Sequence, residues 1–229
     1  HPDIAAIPNQ LFYGGQLKNG PNVLEQTTPI VSSQPGIGHP LVFYDISQLS
    51  AYFYSDKESN SRFNLVSALV AVKLAYSIIQ TSQNRIGIVT PYNAQSRLIN
   101  RLLRDLKLPK EQIYVATVHR FQGSESDTVL FDIVEGPPKP KAGKLVIGVK
   151  DSTAMRLANV AVSRAKGKFV VLANYDYLQT HLSSVDSFRQ LVDQVADQTS
   201  IEAITWFQRT GNNFWKENLP GLSFFSNSQ

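Results

Sequence analysis

Short apolar runs rich in β-branched and aromatic residues recur along this chain, and longer segments with helical spacing separate them. Each run has six or seven residues and is bounded by polar or glycine-containing stretches, which is the pattern of buried strands. Continuous apolar runs are typical of parallel sheets that are covered on both faces. The five predicted strands are 41–46, 85–90, 113–118, 128–134 and 168–173.

Segments with helical periodicity lie between these runs. Residues 64–79 have little polarity on any side, which predicts a buried helix. Residues 92–106 carry a single apolar stripe, and Thr90 and Pro91 fit the N-cap and first position of that helix. The alternation of strands and helices predicts an α/β fold, a parallel sheet with helices on both faces. Two further helices are predicted over 152–166 and 185–197.

Three other segments are predicted to be irregular. Residues 1–40 are rich in Pro, Gly, Asn and Gln, with one short helix expected near Ile4–Phe12. Residues 47–62 predict a polar loop. Residues 136–144 predict a linker, and the apolar residues at 145–149 are compatible with a short added strand.

We expect one domain over 41–180, preceded by the lead-in 1–40 and followed by an extension, 181–229, whose aromatic residues pack on the domain. The chain starts at His1, and its only methionine is Met155. We therefore expect it to be a piece cut from a larger protein.

Composition excludes several classes of function. The 229 residues include no cysteine, which excludes disulfides, cysteine-ligated zinc sites and thiol catalysis. No apolar run approaches the roughly 20 residues that a membrane-spanning helix needs. The formal net charge of +4, from 22 basic and 18 acidic residues, permits an anionic partner without requiring one.

Familiar phosphate-binding motifs are absent from the sequence. The nearest match to a Walker A loop is GPPKPKAGKL at 136–145, where the glycines are too far apart and Leu145 stands in place of the Mg²⁺-binding hydroxyl. No G-x-G-x-x-G follows a predicted strand. The chain therefore lacks a Walker A motif of its own.

Polar segments adjoin the predicted strands, at the edge of an open α/β sheet where ligands bind. After Thr90, the start of a helix suits a phosphate, although ordinary capping explains this segment equally well. Gly123 would let the backbone approach a ligand closely, Gln122 would orient a water or a phosphate, and Glu125 would accept ribose hydroxyls; a solvated turn is the alternative. Arg164 follows in the last segment, where a surface ion pair is the alternative. The three segments are 86–95, 116–132 and 156–173.

Read together, TPYNAQ (90–95), VHRFQGSESDTVLFD (118–132) and NVAVSRAKGKFVVL (159–172) closely resemble motifs IV, V and VI of superfamily 1 helicases. The resemblance is to the branch that includes the nonsense-mediated-decay helicase, and the opening HPDIAAIPNQLFYGGQLKNG is also similar to that branch. It covers roughly residues 1–180. It implies the second RecA-like domain of an ATP-dependent DNA or RNA helicase, with an intracellular, cytoplasmic or nuclear, location.

The resemblance also implies roles for individual residues. Arg164 is similar to the arginine finger that reaches the γ-phosphate of ATP, and Gln122 to a catalytic residue of motif V. Gly123 and Glu125 resemble nucleotide-binding residues. The residues that resemble contacts to the backbone of single-stranded nucleic acid are Thr90, Pro91, Tyr92 and Thr117.

The cofactors implied are ATP and Mg²⁺, with the Mg²⁺ ligands on a preceding RecA-like domain that would be the partner of this one. Ser67 departs from the family pattern, because a glutamate is common at that position. One alternative is a nucleic-acid-binding or scaffold module that keeps the fold without ATP turnover. Another is an unrelated nucleotide-binding α/β enzyme. The lysines of the proline-rich segment, 139–144, would either grip phosphates or belong to a plain flexible loop.

Overall fold

The computed structural model describes residues 1–149, 151–203 and 205–206. It confirms the predicted α/β fold, with a six-stranded parallel sheet, helices on both faces and a separate two-stranded antiparallel ribbon. The strands are β1 (Leu41–Asp45), β2 (Phe53–Ser55), β3 (Arg62–Asn64), β4 (Ile86–Thr90), β5 (Ile113–Thr117), β6 (Ser126–Asp132), β7 (Ala165–Ala173) and β8 (Ser200–Glu202). The helices are α1 (Pro2–Leu11), α2 (Val23–Val31), α3 (Leu65–Ile79), α4 (Asn93–Asp105), α5 (Val118–Phe121), α6 (Thr153–Ser163), α7 (Tyr175–His181) and α8 (Ser187–Ala196).

The strands of the large sheet follow the order β5-β4-β6-β7-β1-β8. Each of the five strands predicted from apolar runs lies in this sheet, because both of its faces are covered and neither needs polar side chains. The register aligns Thr90 with Thr117, and Val89 with Phe131. We call the edge where these strands end the carboxyl edge, and the edge where they begin the amino edge.

Two apolar layers hold the helices against the sheet. On one face, α1, α6 and α8 contribute buried residues such as Ile4, Leu157 and Leu191. On the other face, α3 and α4 contribute residues such as Leu74 and Ile99. The prediction that α3 is a buried helix is confirmed, since most of its residues are buried. Among the described residues, no helix combines the length and apolar character needed to cross a membrane.

The termini are more regular than predicted. Residues 1–40 contain two helices, α1 and α2, in place of one short helix in an irregular segment. Beyond residue 180, α8 packs on the same apolar layer as α6, and β8 pairs with β1. The ring of Trp206 meets Tyr44 edge-on at 5.4 Å. The other aromatic residues of the expected extension, beyond 206, lie outside the described residues.

Two of the predicted loops also differ from expectation. Residues 47–62 include a 3₁₀ turn at Ser47–Leu49, strand β2 and the start of β3. The ribbon forms because Phe53 is buried at 2% exposure, which anchors β2 to the domain. Residues 145–149 do not form a strand; instead Val146 is buried within a turn of the connection to α6.

Candidate nucleotide and nucleic-acid sites

The candidate site residues divide between the two edges of the sheet. Thr90 and Thr117 end neighbouring strands at the carboxyl edge. Gln122, Gly123 and Glu125 lie before β6, and Arg164 lies before β7, all at the amino edge. The expectation that all three polar segments share one edge was therefore wrong. The reason is that all strands of a parallel sheet begin at one edge and end at the other, so residues directly before β6 and β7 lie opposite those that end β4 and β5.

Arg164 caps the carboxyl end of α6 directly before β7 begins. Its Nη2 and Nε lie 3.1 and 3.3 Å from the Ser163 hydroxyl oxygen. Within the described part of the chain, no carboxylate forms an ion pair with this guanidinium. An arginine in this position keeps most of its five N–H donors for a ligand.

Glu125 lies beside Arg164 and pairs with Lys166. The Lys166 Nζ to Glu125 Oε1 distance is 2.7 Å, and the two side chains are 44% and 67% exposed. The hydrogen bond and charge of Lys166 lower the pKa of Glu125, and the charge of Arg164 adds to this effect. A carboxylate held ionised in this way is an acceptor for hydroxyl groups.

Gln122 and Gly123 form the exposed turn between α5 and β6. The φ of Gly123 is +87°, and a Cβ there would meet no atom within 4 Å, so the turn leaves room for a ligand. Gln122 also lines a cavity of about 330 Å³ that extends along α6 to Asn159. The Asn159 side chain donates a 2.9 Å hydrogen bond to the Tyr13 hydroxyl, which ties the segment after α1 to α6.

The residues expected at the nucleic acid are mostly buried at the carboxyl edge. Thr90 is fully buried and Thr117 is 6% exposed. Thr90 is not the N-cap of the next helix, since α4 begins at Asn93 with Tyr92 as its cap. Instead the Thr90 hydroxyl oxygen accepts a 3.4 Å hydrogen bond from the backbone amide of Tyr92, which shapes the turn at Pro91.

Tyr92 belongs to a buried polar cluster that sequence reasoning missed. Its hydroxyl donates to the carboxylate of Glu135, which also pairs with Arg62 and accepts from the backbone amide of Gly143 at 3.1 Å. Burial raises the pKa of Glu135, and the hydrogen bond from Tyr92 and the charge of Arg62 act against this rise. The one feature of the sequence that pointed to this cluster is Glu135, an acidic residue directly after the apolar run 128–134.

A second buried cluster joins α3, α4 and β6. The Gln95 side-chain amide donates to Asp132 Oδ2 at 2.6 Å and to the Ser67 hydroxyl at 3.0 Å. Ser67 itself donates to Asp132 at 3.2 Å, and Gln95 accepts from the backbone amide of Asn64 at 2.8 Å. The carboxylate of Asp132 therefore lies beside Ser67. Ser67 itself occupies the position at which a glutamate is common in the family that the sequence resembles.

Comparison with known proteins places the chain in a family. The family model AAA_12, described as an AAA domain, matches residues 1–176, and the chain belongs to this family. The resemblance to superfamily 1 helicases of the nonsense-mediated-decay branch is confirmed by the curated relatives as well. The fold is the RecA-like α/β fold that the resemblance implies.

Three of these relatives are named helicases or regulators of nonsense transcripts. The chain is 31% identical over 182 residues to "Regulator of nonsense transcripts 1 homolog" of Arabidopsis thaliana. This match covers 76% of the present chain and 14% of the relative. It is 30% identical to "ATP-dependent helicase upf1" of Schizosaccharomyces pombe, covering 79% and 19% of the two chains. It is 28% identical to "Helicase sen1" of the same yeast, covering 89% and 12%.

The chain therefore spans between 12% and 19% of the length of these relatives. One solved structure, the C-terminal domain of a possible DNA helicase from Lactobacillus plantarum WCFS1, matches with 14% identity and a TM-score of 0.40. That match covers 81% of this chain and 98% of the other.

Proposed function

We propose that this chain is the second RecA-like domain of an ATP-dependent superfamily 1 helicase that acts on RNA or DNA. In this proposal Arg164 is the arginine finger for ATP held by a preceding RecA-like domain. The observation that carries the proposal is the position of Arg164 at the amino edge, beside Glu125, with no carboxylate partner among the described residues.

The amino edge is the nucleotide side of the proposed site. Arg164 stabilises the charge that develops on the γ-phosphate during transfer, an effect worth roughly 10³–10⁵ in rate in enzymes with arginine fingers. Gln122 orients the attacking water or the phosphate, and the open turn at Gly123 lets the backbone approach. Glu125 accepts hydrogen bonds from the ribose hydroxyls, in exchange for its contact with Lys166.

ATP and Mg²⁺ fit this edge only in part. Arg164 and the Gln122–Glu125 turn suit phosphate and ribose, whereas the chain has no Walker A sequence. Among the described residues, no cluster of three or more His, Asp or Glu side chains could hold a metal ion. In the proposal the preceding domain therefore supplies the Mg²⁺ ligands and most phosphate contacts, and Mg²⁺ neutralises phosphate charge there.

The carboxyl edge is the nucleic-acid side. Because the side chains of Thr90 and Thr117 are buried, their proposed role is to shape the backbone that faces a single strand. Pro91 and Tyr92 line an open pocket at the same edge. Contacts to phosphate and sugar make the binding insensitive to sequence.

The test compares the 229-residue chain with the longer protein that carries it. We expect the longer protein to hydrolyse ATP and to be stimulated by single-stranded nucleic acid. We expect the 229-residue chain alone to show no turnover. ATP hydrolysis by a pure preparation of the chain alone would refute the division of the site between two domains.

A further inference from the structure

Among the described residues that line the pocket beside Pro91 and Tyr92, the charged side chains are all cationic. It encloses about 410 Å³ between the turn of the β2–β3 ribbon, the start of α4 and the loop at 143–145. The charged residues of its wall are Arg62 and Lys144. A concave wall with charge of one sign concentrates ligands of the opposite sign.

Arg62 is held in a fixed orientation from behind. Its side chain is 15% exposed and pairs with Glu135, whose side chain is completely buried. The guanidinium carbon lies 4.6 Å from the centre of the Phe53 ring, and Nη2 lies 3.4 Å from the carbonyl oxygen of Lys141. Since a guanidinium has five N–H donors, Arg62 keeps donors beyond those that contact Glu135 and Lys141.

The same buried carboxylate organises the other walls. Glu135 accepts from the hydroxyl of Tyr92, before α4, and from the backbone amide of Gly143, next to Lys144. Three segments that are distant in sequence therefore converge on one acid. A site whose groups are held in place before binding loses less free energy in ordering them.

We infer that this pocket binds a backbone phosphate of single-stranded nucleic acid, and that the side chains of Arg62 and Lys144 contact the phosphate. The inference rests on the proposed function and assigns contacts that the buried residues Thr90 and Thr117 do not offer. Arginine matches phosphate oxygens with parallel donors, and lysine adds a point charge. Pro91 and Tyr92 then form the floor of the pocket beneath the strand.

The test measures binding of a short labelled single strand to the 229-residue chain by fluorescence anisotropy, at salt concentrations from roughly 50 to 200 mM. One variant is Lys144→Ala, which changes an exposed side chain. The other is the double variant Arg62→Gln with Glu135→Gln, which removes the charge of Arg62 without leaving a buried carboxylate unpaired. The matched control is Arg101→Gln, an exposed arginine of α4 outside the pocket that pairs with Asp105.

Each pocket variant should weaken binding by about tenfold, the effect of one lost charge-assisted hydrogen bond. Each should also reduce the slope of log K against log salt by about 0.7, the value for one single-strand phosphate contact. Arg101→Gln should leave both unchanged. An abasic strand should show the same losses as an ordinary one, since the ligand is a phosphate.

The outcomes separate this inference from the proposed function. If the unmodified chain binds the strand but Lys144→Ala and the double variant keep its affinity and salt slope, the pocket assignment is overturned and the helicase proposal stands. If the losses vanish on the abasic strand, the ligand is a base and the inference is wrong. If the unmodified chain binds no strand even at low salt, the nucleic-acid part of the proposed function fails with it.

Discussion

The backbone amide of Ser126 donates a 3.1 Å hydrogen bond to the carbonyl of Arg164, which joins the first residue of β6 to the end of α6. Ser126 also pairs in register with Ala165. The relative positions of Glu125 and Arg164 are therefore fixed by the sheet. At its other end, β6 finishes at Asp132, in the buried cluster behind the carboxyl edge. One strand thus connects the two candidate sites.

The first prediction concerns Arg164. In the longer protein, Arg164→Ala should lower ATP turnover by two or more orders of magnitude, because an arginine finger acts on charge that develops in the transition state. The loss should appear mainly in kcat. Single-strand affinity should stay nearly unchanged, since Arg164 lies at the edge opposite Thr90. Steady-state ATPase kinetics and anisotropy binding measure the two quantities.

Arg101→Ala is the matched control for this change, because Arg101 is an exposed arginine on α4. It should leave kcat at the unmodified value. A variant Arg164→Ala that weakened strand binding but spared turnover would show that the two edges have been assigned the wrong way round.

The second prediction separates a structural from a nucleotide-binding role for Glu125. Its contact with Lys166 is largely exposed, so Glu125→Gln should change the free energy of unfolding by less than about 1 kcal/mol. In the longer protein the same change should raise KM for ATP, because in the proposed site the carboxylate accepts a hydrogen bond from a ribose hydroxyl. If the 2′-hydroxyl or the 3′-hydroxyl is the partner of Glu125, the rise in KM caused by Glu125→Gln should be smaller with the ATP analogue that lacks this hydroxyl, 2′-deoxy-ATP or 3′-deoxy-ATP. An equal rise with all three nucleotides would contradict the ribose contact.

The third prediction concerns Lys168, a fully buried lysine of β7. Its ammonium nitrogen lies 2.5 to 3.1 Å from four backbone carbonyl oxygens at the end of α2 and in the segment that follows, which share its three N–H donors. Lys168→Met keeps the aliphatic stem but leaves these carbonyls without their donor. We expect a loss of about 1–3 kcal/mol in the free energy of unfolding, measured with denaturant. The carbonyls belong to Val31, Ser33, Pro35 and Gly36.

Limited proteolysis should locate this effect in the same segment, 31–36, which should be cleaved faster in Lys168→Met. Lys110→Met is the control, because Lys110 is an exposed lysine in the turn before β5. Equal stability of the two variants would show that the carbonyl contacts of Lys168 contribute nothing.

The sequence predicted the large sheet well because its strands are uninterrupted apolar runs. It did not predict β2, β3 or β8, which have three residues each. Such short strands depend on distant contacts, such as the burial of Phe53. Helix α2 was missed because Pro29 lies inside it and proline is normally a sign of irregular structure.

The candidate site was predictable in its residue types but not in its arrangement. Motif order named Arg164 and Glu125, and the structure brings them together. The pairing of Arg62 with Glu135 joins residues 73 positions apart, and no local pattern indicates it. The burial of Thr90 also depends on the whole sheet.

The last prediction concerns Asp132 and pH. Burial raises the pKa of Asp132 from 3.8 to about 6, although Gln95, Ser67 and the amide of Val134 donate hydrogen bonds to it and lower the pKa in part. Because the folded-state pKa lies above the unfolded value, the folded chain binds this proton more tightly. The stabilising contribution is complete below the unfolded pKa, near 4, and is lost as the pH rises through about 6.

At about 1.4 kcal/mol for each pKa unit, the whole contribution of Asp132 to stability is about 3 kcal/mol, of which about 2 kcal/mol is lost between pH 4 and pH 7. Asp132→Asn carries no proton to titrate. The free energy of unfolding of the unmodified chain should therefore fall relative to that of Asp132→Asn as the pH rises from 4 to 7. Glu135, whose pKa burial also raises, is present in both chains and cancels in this difference.

Denaturant unfolding at several pH values from 4 to 7 measures the difference, with Asp197→Asn as the control, because Asp197 is an exposed carboxylate. The control should follow the unmodified chain at every pH. A difference between Asp132→Asn and the unmodified chain that stays flat with pH would show that Asp132 titrates in the folded chain at its ordinary pKa. A difference of the opposite sign would show that the donors Gln95 and Ser67 outweigh the cost of burial, so that the cluster behind the carboxyl edge holds a stable carboxylate.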